Sequence, residues 1–373
     1  MTRLCKVTKI VLFFLMCVNL QIFADEQTDY FIYDDDEQTI IVGVDQSGWA
    51  QTSLTIPATV TRVCEGAFWG CSQLGSLYID GGDPLFDMGS LDDILDQLEY
   101  INTGAGMSVD HMRSLVTRLG EGHLVTTIEI EGYNDPDGDG INWTSSTLKN
   151  ILTEDVSVYL PAALVEDQVF GDAMVYGKFT LNNQLGTFCG KASFYDESSD
   201  AQFLFYIPTE LRTDTKEIYV QRVRYVNAGE GVLMHNVENT SSSIYLKRVD
   251  EPVPYSTNML VGVTEPTTIG KTDGDKTNLI LYQGKFRPTS GGTLGANRAY
   301  LQVLTTDLQS MGADAALSYF IGDDITDGIG TLKLTDVTGE SSDEWYTLSG
   351  QHLTIRPVQP GIYLHGNKKI VIK

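Results

Sequence analysis

The chain has 373 residues, of which 42% are hydrophobic, 10% aromatic and only 20% charged, a balance that excludes a disordered polymer and leaves room for two or three domains. Fifty acidic against 25 basic residues give a formal charge of −25, which makes nucleic acid and anionic lipid head groups poor partners. Thirty-six glycines with 18 tyrosines and 14 phenylalanines indicate a β-rich protein.

Residues 1–24 have the order of an export leader: Arg3, Lys6 and Lys9 form a positive head, Ile10 to Val18 an apolar run, and Ile22-Phe23-Ala24 a cleavage end. The apolar run is too short to span a bilayer, and no later stretch is long enough, so no transmembrane segment is expected. Leu15-Met16-Cys17 mimics a lipoprotein box, but Met16 is too large for the position before a lipidated cysteine. Cleavage after Ala24 leaves 22 basic residues against 50 acids, a charge of −28. Cys64, Cys71 and Cys189 then remain, an odd number without Cys-x-x-Cys spacing, which predicts neither a disulfide framework nor a zinc site. Cys64 and Cys71 are expected in the core.

Next come two β runs, Tyr30 to Tyr33 and Thr39 to Val44, separated by the acidic turn Asp34 to Glu37. They predict a hairpin that caps the solenoid-like stretch after it. In 53–79 the chain almost repeats itself: Leu54-Thr55-Ile56 returns as Leu77-Tyr78-Ile79 after 23 residues, a solenoid period. Val60, Val63, Ala67, Phe68 and Leu74 lie between the copies, as the inward positions of a coil that stacks on its neighbour. This stretch, with Leu54, Ile56-Pro57, Val60, Ala67-Phe68, Cys71, Leu74, Leu77 and Ile79, resembles the BspA-like leucine-rich repeats of Bacteroidetes surface proteins. Cys64 stands where that family has Ile. The resemblance implies a short leucine-rich-repeat solenoid and adhesion to surface macromolecules.

Beyond Ile79 the strict repeat lapses. Ser90, Leu91, Ile94, Leu95 and Leu98 have the spacing of one helical face, with Asp92 and Asp93 in the first turn. A second helix is predicted from Ser108 to Leu119, stopped by Gly120. Leu124 to Ile130 again resembles the strand of a leucine-rich coil, so the solenoid is expected to fill 25–150. From 151 to 321, nine short runs with turns between them predict an antiparallel β-sandwich-like domain: 156–160, 174–179, 202–207, 218–226, 231–235, 244–249, 259–263, 279–286 and 299–303. Gly284-Lys285-Phe286 together with Gly292-Thr293, Ala296-Asn297 and Ala299-Tyr300-Leu301 resembles a motif of secreted Bacteroidetes β-domains. Residues 322–344, rich in Gly, Asp, Thr and Ser, read as a linker. The last stretch, 345–373, predicts three strands, and its Tyr346-Thr347-Leu348-Ser349-Gly350, Gly361-Ile362-Tyr363 and basic end resemble a C-terminal sorting tail.

Candidate chemistry is sparse. Asp135, Asp137 and Asp139 alternate before Gly140 like the first half of an EF-hand-type loop, which makes calcium the one candidate cofactor. With Asp135 as position 1, however, position 9 is Trp143 and position 12 is Ser146, neither of which supplies the expected ligand. The competing reading is an acidic turn. Ser146-Thr147-Leu148-Lys149 has Ser-x-x-Lys spacing, but the partner motifs of acyl enzymes are missing, so the solvent face of a helical turn is the simpler role. Arg222 and Arg224, beside Tyr219 and Tyr225, read as one strand face of a kind that suits sugar or peptide, with a solvated face as the plainer reading. The histidines stand singly and no catalytic residue is assigned.

The chain is therefore expected to be an exported, surface-associated binding protein, adhesin-like and not an enzyme, that recognises an extracellular protein or glycan. The alternatives are a secreted hydrolase with a carboxylate pair in the β-domain and a structural part of an extracellular assembly. Two facing carboxyls in a deep cleft would favour the hydrolase, and an aromatic-bearing open surface would favour binding.

Overall fold

A computed structural model describes residues 29–134, 146–166, 170–197, 203–237, 242–312, 315–321, 345–347, 352–353, 361–365 and 368–372. The protein is mainly β, in several sheets. Strands β1 (Phe31–Tyr33) and β2 (Ile40–Val44) form the expected antiparallel hairpin. Asp35 closes its turn by accepting from the Thr39 hydroxyl (2.7 Å) and the backbone amides of Thr39 (2.9 Å) and Ile40 (3.0 Å), which hold its carboxyl below the usual range.

Coils come next. Strands β3 (Ser53–Ile56) and β4 (Arg62–Val63) are succeeded by β5 (Ser76–Ile79), β6 (Leu85–Phe86) and β7 (Tyr100–Asn102). Helix α1 (Val109–Leu119), β8 (Thr127–Glu129), helix α2 (Ser146–Ile151), β9 (Ser157–Pro161) and β10 (Met174–Leu181) complete the series. β3, β5, β7, β8, β9 and β10 pair in parallel, in that order. The register sets Leu54, Leu77, Ile101, Ile128, Val158 and Val175 side by side in one buried column. A second small sheet, in the order β1-β2-β4-β6, packs on the same core. Phe68, Phe86 and Leu74 fill the interior with no exposed surface.

Helix α1 matches its predicted bounds. Ser108 caps it by accepting from the His111 amide (3.3 Å), and Val109, Met112, Leu115, Val116 and Leu119 are buried. The helix expected over 90–98 is instead a succession of turns, with Ile94 N–H donating to Leu91 O (2.9 Å) and Gln97 N–H to Ile94 O (3.1 Å). Its apolar spacing buries Leu91, Ile94 and Leu98 as foreseen, but turns satisfy that spacing as well as a helix does, and they suit a coil that must return from Phe86 to Tyr100. Coils also approach closely at Gly106, where a Cβ would run into the carbonyl oxygen of Gly81.

After β10 the direction alternates. The next strands are β11 (Leu185–Phe188), β12 (Ser193–Tyr195), β13 (Phe203–Arg212), β14 (Glu217–Val223), β15 (Tyr225–Val226), β16 (Val232–Asn236) and β17 (Ser242–Val249). β17 joins β10 antiparallel, and β12 and β15 extend the same sheet to nine strands. That sheet runs across residue 150, which itself lies within α2, so no break in the ladder marks the expected boundary there.

Eight more elements are β18 (Leu260–Val263), β19 (Thr267–Ile269), β20 (Thr272–Asp273), β21 (Lys276–Tyr282), β22 (Lys285–Pro288), β23 (Gly292–Leu294), β24 (Arg298–Leu304) and helix α3 (Thr305–Met311). β25 (Ser318–Ile321) ends this unit. The run expected as one strand over 279–286 is a hairpin of β21 and β22, turned at Gln283 and Gly284, both with positive φ (49° and 72°). Strands β11, β16, β13, β14 and β25 make a five-stranded sheet, and β18, β24, β21 and β20 another with β22 at its side. Phe179 of β10 meets Phe188 of β11 at 4.8 Å and Phe205 of β13 at 5.3 Å, while Leu233 of β16 and Val220 of β14 share a core with Leu279 and Leu301. The five-stranded sheet is thus packed on both faces, which is why all of β16 is buried.

The described residues beyond 344 lie in a second compact unit. Its strands β26 (Trp345–Thr347), β27 (His352–Leu353), β28 (Gly361–His365) and β29 (Lys368–Ile372) make an antiparallel sheet of four, one more than expected, because His352–Leu353 pairs as well. Among the described residues no helix is long and apolar enough to cross a membrane.

Candidate functional site

Side chains alternate across a strand, so the parallel register that buries Leu54, Leu77, Ile101, Ile128, Val158 and Val175 aligns their neighbours on the opposite face. That row reads Thr55, Tyr78, Asn102, Glu129, Tyr159 and Tyr176, one residue per strand from β3 to β10. It continues through Lys247 of β17 to Tyr195 of β12 and Tyr225 of β15. The result is a tyrosine-bearing sheet face whose rings are mostly half-buried.

The rings interact along it. Tyr78 and Tyr100 lie 5.4 Å apart, Tyr159 stacks on Tyr176 at 4.9 Å and 17°, Tyr245 meets Tyr159 edge-on at 5.1 Å, and Tyr195 and Tyr225 lie 4.7 Å apart. Glu129 is the hub. It accepts from the Tyr100 hydroxyl (2.7 Å), the Tyr245 hydroxyl (3.2 Å) and the Lys178 ammonium (3.3 Å). Lys178 also lies 5.6 Å from the centre of the Tyr245 ring. Asn102 donates to Glu131 (3.1 Å) and to the Tyr100 hydroxyl (3.4 Å), which ties the second carboxylate to the same network.

Burial, and then the Glu129 charge, push the Tyr245 hydroxyl up to about 12 and raise Tyr100 further, so both stay protonated donors. Burial alone would lower the Lys178 ammonium, but Tyr245 and Glu129 together outweigh it and the net shift is upward. Lys178 therefore remains a cation. Between β8, β9 and β10 the face dips into a concavity of about 300 Å³, lined by Glu129, Glu131, Tyr159, Pro161, Lys178 and Thr180 among others.

Of the described candidate residues singled out from sequence, Tyr225 alone lies on this face. Asp135, Asp137 and Asp139, the calcium candidates, fall outside the described residues. Ser146 opens α2, and Lys149 of the same helix faces Asp172 at 3.9 Å. Arg222 and Arg224 do not share a strand face: β14 ends at Val223, the chain bends at Arg224, and β15 belongs to another sheet. Tyr219 is covered by Arg212 (5.0 Å), and Tyr225 joins the tyrosine face. His123 binds the Ile151 carbonyl (2.9 Å), His111 lies 3.0 Å from Asp83, and His235 is buried. Cys71 and Cys189 are buried and free, whereas Cys64 is only half-buried. Among the described residues no group of three His, Cys, Asp or Glu side chains fits a metal ion.

The tyrosine face was missed because its members are 17 to 30 residues apart and carry no motif. Aligning the coils on Leu54, Leu77, Ile101, Ile128 and Val158 brings out the adjacent column Thr55, Tyr78, Asn102, Glu129 and Tyr159, a usable signal once the ladder is known. Nothing in the sequence aligns Tyr245 with it, since β17 joins from 64 residues beyond Lys178 in the antiparallel sense. The chain matches no protein-family model, no curated protein and no solved structure.

Proposed function

We propose that the chain is an exported, surface-associated binding protein, adhesin-like in action, that recognises an extracellular protein or glycan through the tyrosine face of its nine-stranded sheet. In this reading the strands β3 to β10 are coils of a BspA-like leucine-rich solenoid, the layers after them form a β-sandwich-like continuation, and the tail serves sorting. One observation carries the functional part: tyrosines from seven strands line one sheet face around a carboxylate–ammonium pair. Tyrosine supplies large, rigid contact area with a polar tip, and a sheet fixes it at little entropic cost.

The purified full chain, tested on immobilised extracellular-matrix protein and glycan surfaces, should bind, and Tyr159→Ala combined with Tyr176→Ala should abolish most of that binding. Removal of 331–373 should leave it intact. A hydrolase reading has an observation of its own, although outside the 151–321 stretch where its carboxylate pair was expected, since Glu129 and Glu131 line one concavity. Glycoside turnover that Glu131→Gln or Glu129→Gln abolishes would replace the binding reading with that one.

A further inference from the structure

We infer that the concavity between β8, β9 and β10 is a subsite for a neutral saccharide ring, an inference that rests on the binding reading above and names its ligand chemistry. The size fits first: about 300 Å³ is the low end for small-molecule sites, enough for a sugar ring or two and too small for a folded partner.

The lining chooses among small ligands. Tyr159 and Pro161 provide a compact apolar platform, and Glu131, Lys178 and Thr180 surround it with polar groups. Glu131 can only accept and the Lys178 ammonium can only donate, while the Thr180 hydroxyl does either. Vicinal hydroxyls are donor and acceptor at once, so a ring that carries them satisfies both kinds, with its C–H face on the aromatic side. An anion is disfavoured because two carboxylates face one ammonium. A cationic side chain is disfavoured because Lys178 already occupies the place beside Glu129 and Tyr245 that such a cation would take (3.3 Å from the carboxylate, 5.6 Å from the ring centre). A purely apolar group would take Glu131 and Lys178 out of water without offering either a hydrogen bond.

The test is calorimetric titration of the full chain with a neutral tetrasaccharide set (gluco-, manno- and xylo-oligosaccharides), a sialylated oligosaccharide and tetralysine. At least one neutral tetrasaccharide should bind, with affinity reduced about tenfold or more in Glu131→Gln and in Tyr159→Ala, a loss of roughly 1.4 kcal/mol. Exposed Tyr282, far along the chain on β21, gives the control variant Tyr282→Ala, which should bind as the parent does. Glu131→Gln keeps the shape of the side chain, so it decides the matter if Tyr159→Ala fails to fold. Binding of tetralysine or of the sialylated probe in preference to every neutral one, reduced by the same variants, would overturn the neutral-saccharide assignment but keep the tyrosine face as the binding surface. Neutral-sugar binding indifferent to both variants would place the sugar elsewhere and overturn the subsite. Failure of every probe, with matrix adhesion still lost on changing Tyr159 and Tyr176, would overturn the subsite alone. Failure of both assays would overturn the binding reading with it.

Discussion

The coiled part of the chain, from β3 to β10, and the antiparallel part after it satisfy their backbone in different ways. In the coils, successive loops bond to one another in the same places: Gly75 N–H donates to Thr52 O, Glu99 to Gly75 O, Thr126 to Glu99 O and Ser157 to Thr126 O, at 2.9 to 3.0 Å. In the antiparallel part, loops of unlike shape meet, and asparagine side chains join them. Asn227 donates to Val253 O (2.8 Å), Asn258 to Gly231 O (2.9 Å), Asn278 to Gly270 O (3.0 Å) and Asn297 to Cys189 O (3.2 Å). Repetition lets main chain serve main chain, whereas irregular layers need a side chain of the right length at each crossing. The same contrast appears in the cores. Buried polar side chains in the core of the coiled part are few, notably Ser90 and Thr103, while the layers beyond enclose Thr187, Asp196, Asn227, His235, Asn236, Thr277 and Asn278.

If the coils rest on apolar packing, Phe68→Ala should produce the largest loss, about 3–5 kcal/mol in urea unfolding, because Phe68 is wholly buried within the main hydrophobic cluster. A loss under about 1 kcal/mol would remove the basis of the comparison.

The antiparallel layers should answer instead to polar deletion. Asn278 is 2% exposed, donates to Gly270 O and accepts from Gln302 Nε2 (3.0 Å), so Asn278→Ala should cost about 1–3 kcal/mol by removing the Gly270 carbonyl's side-chain donor and one of the two acceptors of the Gln302 amide. An equal loss on replacing an exposed asparagine of the same unit would show that burial is not the cause.

His235 sharpens the contrast with pH. It is 2% exposed, neither ring nitrogen has a hydrogen-bond partner among the described residues, and burial lowers its proton affinity below the ordinary value of 6.5. The unfolded chain takes up a proton near that value while the folded chain refuses it. Stability should therefore be level with respect to this group above pH 6.5 and fall as pH drops from there toward the folded value. Urea midpoints measured from about pH 7.5 to 5.0 should show the decline, and His235→Asn should flatten it. Parallel declines in both proteins would assign the effect to other groups.

The smallest effect belongs to the tyrosine face. Lys178 is 35% exposed, so Lys178→Met should change stability by no more than about 1 kcal/mol in either direction. Its binding effect, read by the same calorimetric titration, should be large by comparison, because the ammonium is the one cation among the described residues that line the concavity. A stability loss above about 2–3 kcal/mol would mean that the Glu129 network serves the fold first.

Legibility followed the same division. The period from Leu54 to Leu77 predicted inward positions, and Val60, Val63, Ala67, Phe68 and Leu74 are all buried. Ser108 and Gly120 marked the ends of α1, because a cap and a stop are local chemistry. Within 90–98, periodicity told which residues go inside but not that turns would carry them. Most strands after β10 were found as runs, but β11, β12, β19, β20, β23 and β25 were not, being only two to four residues long.

By itself the sequence determined the inward positions of the stretch 53–79, the hairpin before it, the first long helix and the β-rich character of the remainder. These depend on residues close in the chain, where spacing and turn chemistry act directly. Only the tertiary structure decided that β17 lies against β10, that one sheet passes from parallel to antiparallel, and that Glu129 meets both Tyr100 and Tyr245. Glu129 and Tyr245 are 116 residues apart, and their contact comes from strand register. Register is set by the packing of the whole sheet on its core, which no local stretch of this chain encodes.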